Sequence, residues 1–348
     1  MTSRHFGIDV LKVVCAQLIV WHHAMVYAPM NVDFTSHWPT LSAFLLEPGR
    51  WVVHVFLVIG GYLSAAGLER SNTKLWTPLV WRRYGRLMPM FVLALGLTAL
   101  VGEWMRLDLV PGMASATPGW QVWLAHLTLS FDWMSVPAIS AGAWYVAIDF
   151  QLYVLLALWV VHTRRARDGV SSWVKPAVVT AATVLSVTVI SKFPQLDIAA
   201  PYFISAYGLG CLVAWHQHRV ISSRWLWLVV GAILFDLLLE WRGRQAFALL
   251  TALLLLAWPL LQRKPTSPDW LARASDLSYP LFVGHFSLLM LLGSWWTQHG
   301  MANTAASPWV YLVLLAGLGW GWAMLLEATL ERLVAGWTRH FLARTRWA

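Results

Sequence analysis

The run LKVVCAQLIVWHHAM, Leu11 to Met25, is apolar enough to cross a membrane, yet it carries Lys12, His22 and His23. Ionisable groups inside a membrane are costly, so by default they face the protein interior and mark a site of function. Lys12 and His23 stand eleven residues apart. That is about three helical turns, and at about 100° per residue the two side chains lie within roughly 20° of one face. Asp9 joins this stripe, whereas His22 points elsewhere and is expected to pack or support. Of the groups on this stripe His23 alone can take and give a proton near neutral pH, the property a general base or an acyl carrier needs.

Other polar groups sit in similarly apolar surroundings. WRRYGRLMP places Arg83 and Arg86 on one face ahead of Pro89. Paired guanidinium forks match phosphate, although a basic anchor at the cytoplasmic side is an equally good reading. GAWYVAIDFQLYVLL buries Asp149 with Tyr145 and Tyr153 a turn to either side. A carboxylate there wants a basic partner, either a histidine that it orients or an arginine that it binds. In DLSYPLFVGHFSLL, Ser278 and His285 share a face, and the histidine is either a second interior base or a satisfied core residue. In HVFLVIGGYLSAAG, Gly60 and Gly61 allow close backbone approach by a neighbouring helix or by a thin ligand, and His54 lies in the outer part of the same segment. Asp236 and Glu240 stand one turn apart beside Arg242 and Arg244, a spacing that fits local ion pairing.

These residues need a scaffold, and composition names its class. The chain of 348 residues is 59% hydrophobic and 12% charged, far from the roughly 25% charged residues of a soluble domain. The expected fold is all-α, one polytopic membrane bundle over residues 1–348 with about ten transmembrane helices. The spans are Ile8 to Ala28, Trp51 to Leu68, Leu79 to Val101, Ala143 to Val161, Trp173 to Ile190, Pro201 to Trp215, Trp225 to Leu239, Gln245 to Leu261, Leu277 to Trp296 and Pro308 to Leu330. The first lacks a cleavage site and is longer than a signal peptide's apolar core, so it is expected to be retained. With both termini in the cytoplasm most basic loop residues fall on one side, and Arg50, Arg106, Lys192, Arg242 and Arg244 fall opposite.

The connection Gly102 to Gly142 then lies outside, where Trp120, Trp123 and Trp133 suit a helix in the interface or dipping back. Most of the 25 tryptophans cluster at span ends, so interfacial belts explain them better than sugar stacking. The formal charge of +9 is spread through loops, which favours membrane orientation over nucleic acid. Cys15 and Cys211 both lie in apolar segments, so neither a disulfide framework nor a metal cluster is expected.

Taken in order, these segments resemble the acyltransferase-three family of bacterial integral membrane O-acyltransferases. The resemblance rests on Lys12 and His23 at their spacing, VFLVIGGYLS, Arg83 and Arg86 before Pro89, WYVAIDFQLY, and SYPLFVGH. The family usually has arginine where Lys12 stands and glutamate where Asp149 stands. It implies an acyl donor, usually acetyl-coenzyme A, engaged from the cytoplasm as a substrate with no permanently bound cofactor and no metal. The implied acceptor is a glycan or lipid-linked sugar, and the implied setting is a bacterial inner membrane among its lipids.

On that resemblance Arg83 and Arg86 would hold the nucleotide phosphates, and Gly60, Gly61 and Tyr62 would border the pantetheine arm. His23 would act as base or acyl carrier, with Lys12, Asp149 and His285 completing the catalytic set, and Trp144, Tyr153, Ser278 and Tyr279 in support. Some members carry an extracytoplasmic hydrolase-like domain; none is expected here, so such a step would fall to a separate periplasmic partner. A flippase or transporter of a lipid-linked sugar is the rival class, but no paired broken helices are evident. A haem protein using His22, His23, His54 and His285 is a weaker rival that an absorption spectrum would settle.

Overall fold

A computed structural model of the protein describes residues 5–105, 118–165, 173–261, 267–300 and 307–345, and no strand occurs among them. Ten helices coincide with the expected spans: α1 (Phe6–Tyr27), α4 (Pro48–Arg70), α5 (Thr77–Met105), α7 (Ala143–Arg165), α8 (Val174–Thr188), α9 (Ala200–Gln217), α10 (Ser223–Leu239), α11 (Gly243–Leu261), α12 (Asp269–Gln298) and α13 (Ser307–Thr345). Three shorter ones lie between them: α2 (Asn31–His37), α3 (Pro39–Leu46) and α6 (Trp120–Leu127).

Among the described residues seven helices are long and apolar enough to cross a membrane: α1, α4 together with α3, α5, α7, α8 extended to Lys192, α12 and α13. The apolar stretches of α10 and α11 are shorter. α9 has the length but not the hydropathy, and the reason is its place. It is buried almost throughout, packed against α4, α7, α8, α10 and α11, so its outer surface meets protein rather than lipid and small or polar residues are tolerated on it.

The α4–α9 contact is backbone against backbone. A Cβ on Gly61 would lie 2.0 Å from the carbonyl oxygen of Tyr207, and one on Gly210 would lie 2.0 Å from that of Val58. Only glycine fits at either position, which fixes the crossing. α1 in turn lies between α4 and α12, and α12 between α1, α5 and α13. His23 on α1 is thereby brought against the middle of α12.

Arg106 and the rest of residues 106–117 of the expected outer cap lie outside the described residues. The remainder of the cap is the short helix α6 and a coiled segment organised by one buried imidazole. His126 Nδ1–H donates to Val122 O at 2.8 Å, Nε2 accepts Ile139 N–H at 3.1 Å, and the ring stacks on Phe131 with centroids 4.3 Å apart. Nε2 can accept only while the ring is neutral. Burial lowers the His126 pKa below its ordinary 6.5, which keeps the neutral form.

The neutral ring therefore contributes its full stability above about pH 6.5, and the contribution is lost as pH falls below that towards the depressed value. Hydrogen exchange at the Ile139 amide should accelerate, beyond the chemical baseline, between about pH 7 and pH 5, and His126→Ala should exchange fast at both. Unchanged protection at pH 5 would refute this account of the cap.

Candidate active site

His23 is 7% exposed and His285 fully buried. Their rings lie parallel, centroids 4.9 Å apart with an interplanar angle of 9°, and His23 Nδ1 is 2.8 Å from His285 Nε2. The proton positions are set by the far side of the pair. His285 Nδ1 is 2.7 Å from the carbonyl oxygen of Phe282, which can only accept, so His285 carries its proton on Nδ1. In the neutral dyad its Nε2 then accepts, His23 donates through Nδ1, and His23 Nε2 keeps a bare lone pair. That is the nitrogen a base or a nucleophile would use.

His23 lines a cavity of about 1000 Å³, with His285 behind it. The walls come from α1 (His22, Tyr27), the α3–α4 junction (Glu47, Arg50, Trp51, His54), the start of α7 (Trp144), the start of α9 (Tyr202, Phe203), the α10–α11 turn (Trp241 to Arg244) and Phe282 of α12. His22 does not point away, contrary to the sequence expectation. It lines the same cavity, while its Nδ1 donates to Leu45 O at 3.1 Å, because α3 folds back over the end of α1.

Asp149 pairs with Arg83 at 2.5 Å, not with a histidine. The guanidinium also lies 5.2 Å over the Tyr153 ring. Gly60 makes the room, since a Cβ there would stand 2.9 Å from Asp149 Oδ1 and 3.4 Å from the Tyr207 ring. Arg86, expected beside Arg83 on one face, is exposed. Lys12 does share the helix face of His23, but eleven residues at 1.5 Å each separate them by roughly 16 Å along the axis. Its Nζ donates to Ser275 Oγ at 2.9 Å. The atom that orients His23 is therefore on His285, and neither Lys12 nor Asp149 fills that place as expected.

The remaining expected residues disperse. Gly61 is occupied by the α9 backbone and has no space for a ligand arm. Tyr62 O–H donates to Gln217 at 2.8 Å, Tyr279 O–H to Leu87 O at 3.0 Å, and Ser278 Oγ–H to Ser275 O at 2.7 Å. Trp144 stays at the cavity, 5.7 Å from the Phe203 ring.

Ion pairing at the α10–α11 turn is divided. Arg242 pairs with buried Asp236, and Lys192 reaches Asp236 at 3.2 Å and Glu240 at 3.6 Å. Arg244 instead faces the cavity. Arg50, Trp51, Tyr202 and Arg244 were not distinguishable in the sequence from ordinary span-end residues; only the two arginines on the sparsely basic side gave any signal.

The model of the acyltransferase-three family, described as an acyltransferase domain, matches residues 5–328. A Caenorhabditis elegans protein named Regulator of hypoxia-inducible factor 1 is 25% identical over 180 residues, 46% of this chain and 35% of that protein. The chain thus spans about a third of the length of the curated relative it matches. No solved structure matches. The family match runs from the start of α1, past both histidines, into α13, and among the described residues seven helices are long and apolar enough to cross a membrane: the protein belongs to the acyltransferase-three family.

Proposed function

We propose that the protein moves an acyl group, acetyl first among the candidates, from an acyl-coenzyme A to a hydroxyl of a cell-envelope or exported glycan, with His23 Nε2 as the reacting base. The observation that carries this reading is that bare nitrogen at the wall of a cavity large enough for a sugar. In direct transfer, Nε2 takes the acceptor's hydroxyl proton, the oxygen attacks the thioester carbonyl, and the coenzyme A thiolate leaves and is protonated. In the two-step version Nε2 itself attacks the thioester carbonyl and the thiolate leaves and is protonated; the acceptor hydroxyl oxygen then attacks the acyl-imidazole carbonyl, and the displaced imidazole takes the hydroxyl proton.

With both termini in the cytoplasm of a bacterial inner membrane, Arg83, Arg86 and Lys12 stand on the cytoplasmic side, where the donor would enter. The cavity then opens on the far side, where the acceptor would arrive, alone or presented by a separate periplasmic partner. Mass spectrometry of surface glycans from cells with and without the gene tests the reading. A lost acyl group in the deletion, restored by the intact gene and not by a His23→Ala copy, is the expected result. Identical glycans in both strains would remove the glycan acceptor.

A further inference from the structure

Three arginines line the cavity beside His23, and two of them, Arg50 and Arg244, serve neither the reaction nor an ion pair among the described residues. Arg50 stands at the start of α4 and Arg244 at the start of α11, and both bear electrostatically on His54 between them. Arg244 is held in place: it donates to the Tyr202 hydroxyl, its Nη2 donates to Ser191 O at 2.9 Å, and its guanidinium lies 5.0 Å over the Tyr202 ring. All of those partners are neutral. Neither Arg50 nor Arg244 has a carboxylate within ion-pair distance among the described residues, whereas Arg83, Lys175, Lys192, Arg242 and Arg273 each do.

Acids do line other parts of the cavity. Asp132 and Asp197 bear on each other, and burial together with Asp197 raises the Asp132 pKa; Glu47 stands a turn before Arg50. None of the three is paired with either arginine among the described residues. Two positive charges that face one volume with no carboxylate in ion-pair distance of either are a site for an anion, and charge-assisted bonds from a fixed fork are the strong kind. Trp51, Trp144 and Trp241 offer apolar faces to a sugar ring beside it.

We propose that this cavity is an acceptor site selective for an anionic sugar, with Arg50 and Arg244 binding a carboxylate or phosphate of the acceptor while its hydroxyl lies towards His23. This rests on the acyl-transfer reading and names its acceptor class. The aromatic walls take the ring, the acids accept hydroxyl hydrogens, and the arginine corner fixes which end of the sugar points away from the imidazole.

Binding tests the selectivity separately from the reaction. Purified full-length protein in nanodiscs is titrated, through its tryptophan fluorescence, with octyl β-glucoside, octyl β-glucuronide and dodecyl phosphate. At least one anionic probe should bind about tenfold or more tighter than the neutral glycoside. A tighter glucuronide assigns the anion to the sugar ring, and a tighter dodecyl phosphate assigns it to the phosphate of a lipid carrier.

In Arg50→Gln and Arg244→Gln the ratio of anionic to neutral affinity should fall severalfold, and Arg244→Lys should retain part of it. Because the ratio is taken within each variant, a fraction of unfolded protein does not alter it. Equal binding of all three probes by the wild type overturns the proposal. So does a ratio unmoved by the substitutions, or a loss of acyl-coenzyme A affinity in place of glycoside affinity, which would make the corner a donor phosphate site. Loss of His23-dependent transfer is measured independently, so failure of the reaction and failure of the selectivity are distinguishable.

Discussion

Alanine at position 23 should leave a protein that inserts and folds but transfers acyl groups about a thousandfold more slowly, in the middle of the range for removing a positioned base. The side chain lines the cavity and makes one side-chain hydrogen bond, to His285. The partner substitutions are more discriminating. His285→Ala removes the acceptor for His23 Nδ1–H and frees both tautomer and ring orientation, so activity should drop by about 10- to 100-fold, by analogy with the partners that orient metal-bound imidazoles. His285→Gln can offer a side-chain oxygen to the same proton and should recover part of that loss. His285→Leu cannot, and should behave like alanine. Transfer of labelled acetyl from acetyl-coenzyme A in membrane vesicles reads all four variants. Full activity in His23→Ala would sink the mechanism, and equal loss in His285→Gln and His285→Leu would sink the tautomer account. Incubation with labelled donor and no acceptor then separates the two routes, because label on wild-type protein that is absent from His23→Ala requires an acyl-imidazole.

How much of this was legible beforehand varies with the kind of interaction. Hydropathy located α1, α5 and α7 well because lipid imposes a run of apolar residues on any helix that it surrounds. It also placed α9 to within two residues, although that helix meets protein rather than lipid, and it began α12 eight residues late. Helical periodicity put Lys12 and His23 on one face, but a shared face is not a contact, and Lys12 stands three turns away; His22, expected to point elsewhere, lines the cavity beside His23. The contact that matters joins α1 to α12 across 262 positions of sequence. No periodicity within either helix encodes it, since it depends on how the helices cross.

The same holds for Asp149. Its burial was visible in the sequence, and its need for a basic partner followed. The choice of Arg83 over a histidine was set by the bare face of Gly60 on a third helix. The arginine corner of the cavity was the least legible feature. Arg244 sits two residues from Arg242, and the sequence treats them alike. Both border the cavity, but packing gives one an ion pair with Asp236 and leaves the other with neutral partners.

The Arg83–Asp149 pair carries the other large expectation, and it is one of stability before activity. Asp149 is 6% exposed and the Arg83 side chain 22%. Breaking such a pair by removing one partner leaves an uncompensated charge among apolar helices, at a cost of about 3–5 kcal/mol, whereas replacing both by apolar residues of similar volume is close to neutral. Asp149→Ala and Arg83→Ala should each lower the thermal midpoint of the purified protein markedly, and Arg83→Met with Asp149→Leu should restore most of it. Arg86 is exposed, so Arg86→Ala should leave the midpoint unchanged. Donor titration then divides structure from binding. If Arg83 also holds a phosphate of acyl-coenzyme A, the double variant recovers its midpoint but not its donor affinity, and Arg86→Ala weakens donor binding with no thermal effect. Those are the results expected. A double variant that regains both properties would make Arg83 a purely structural residue, and an unchanged titration in Arg86→Ala would remove the exposed arginine from the donor path as well.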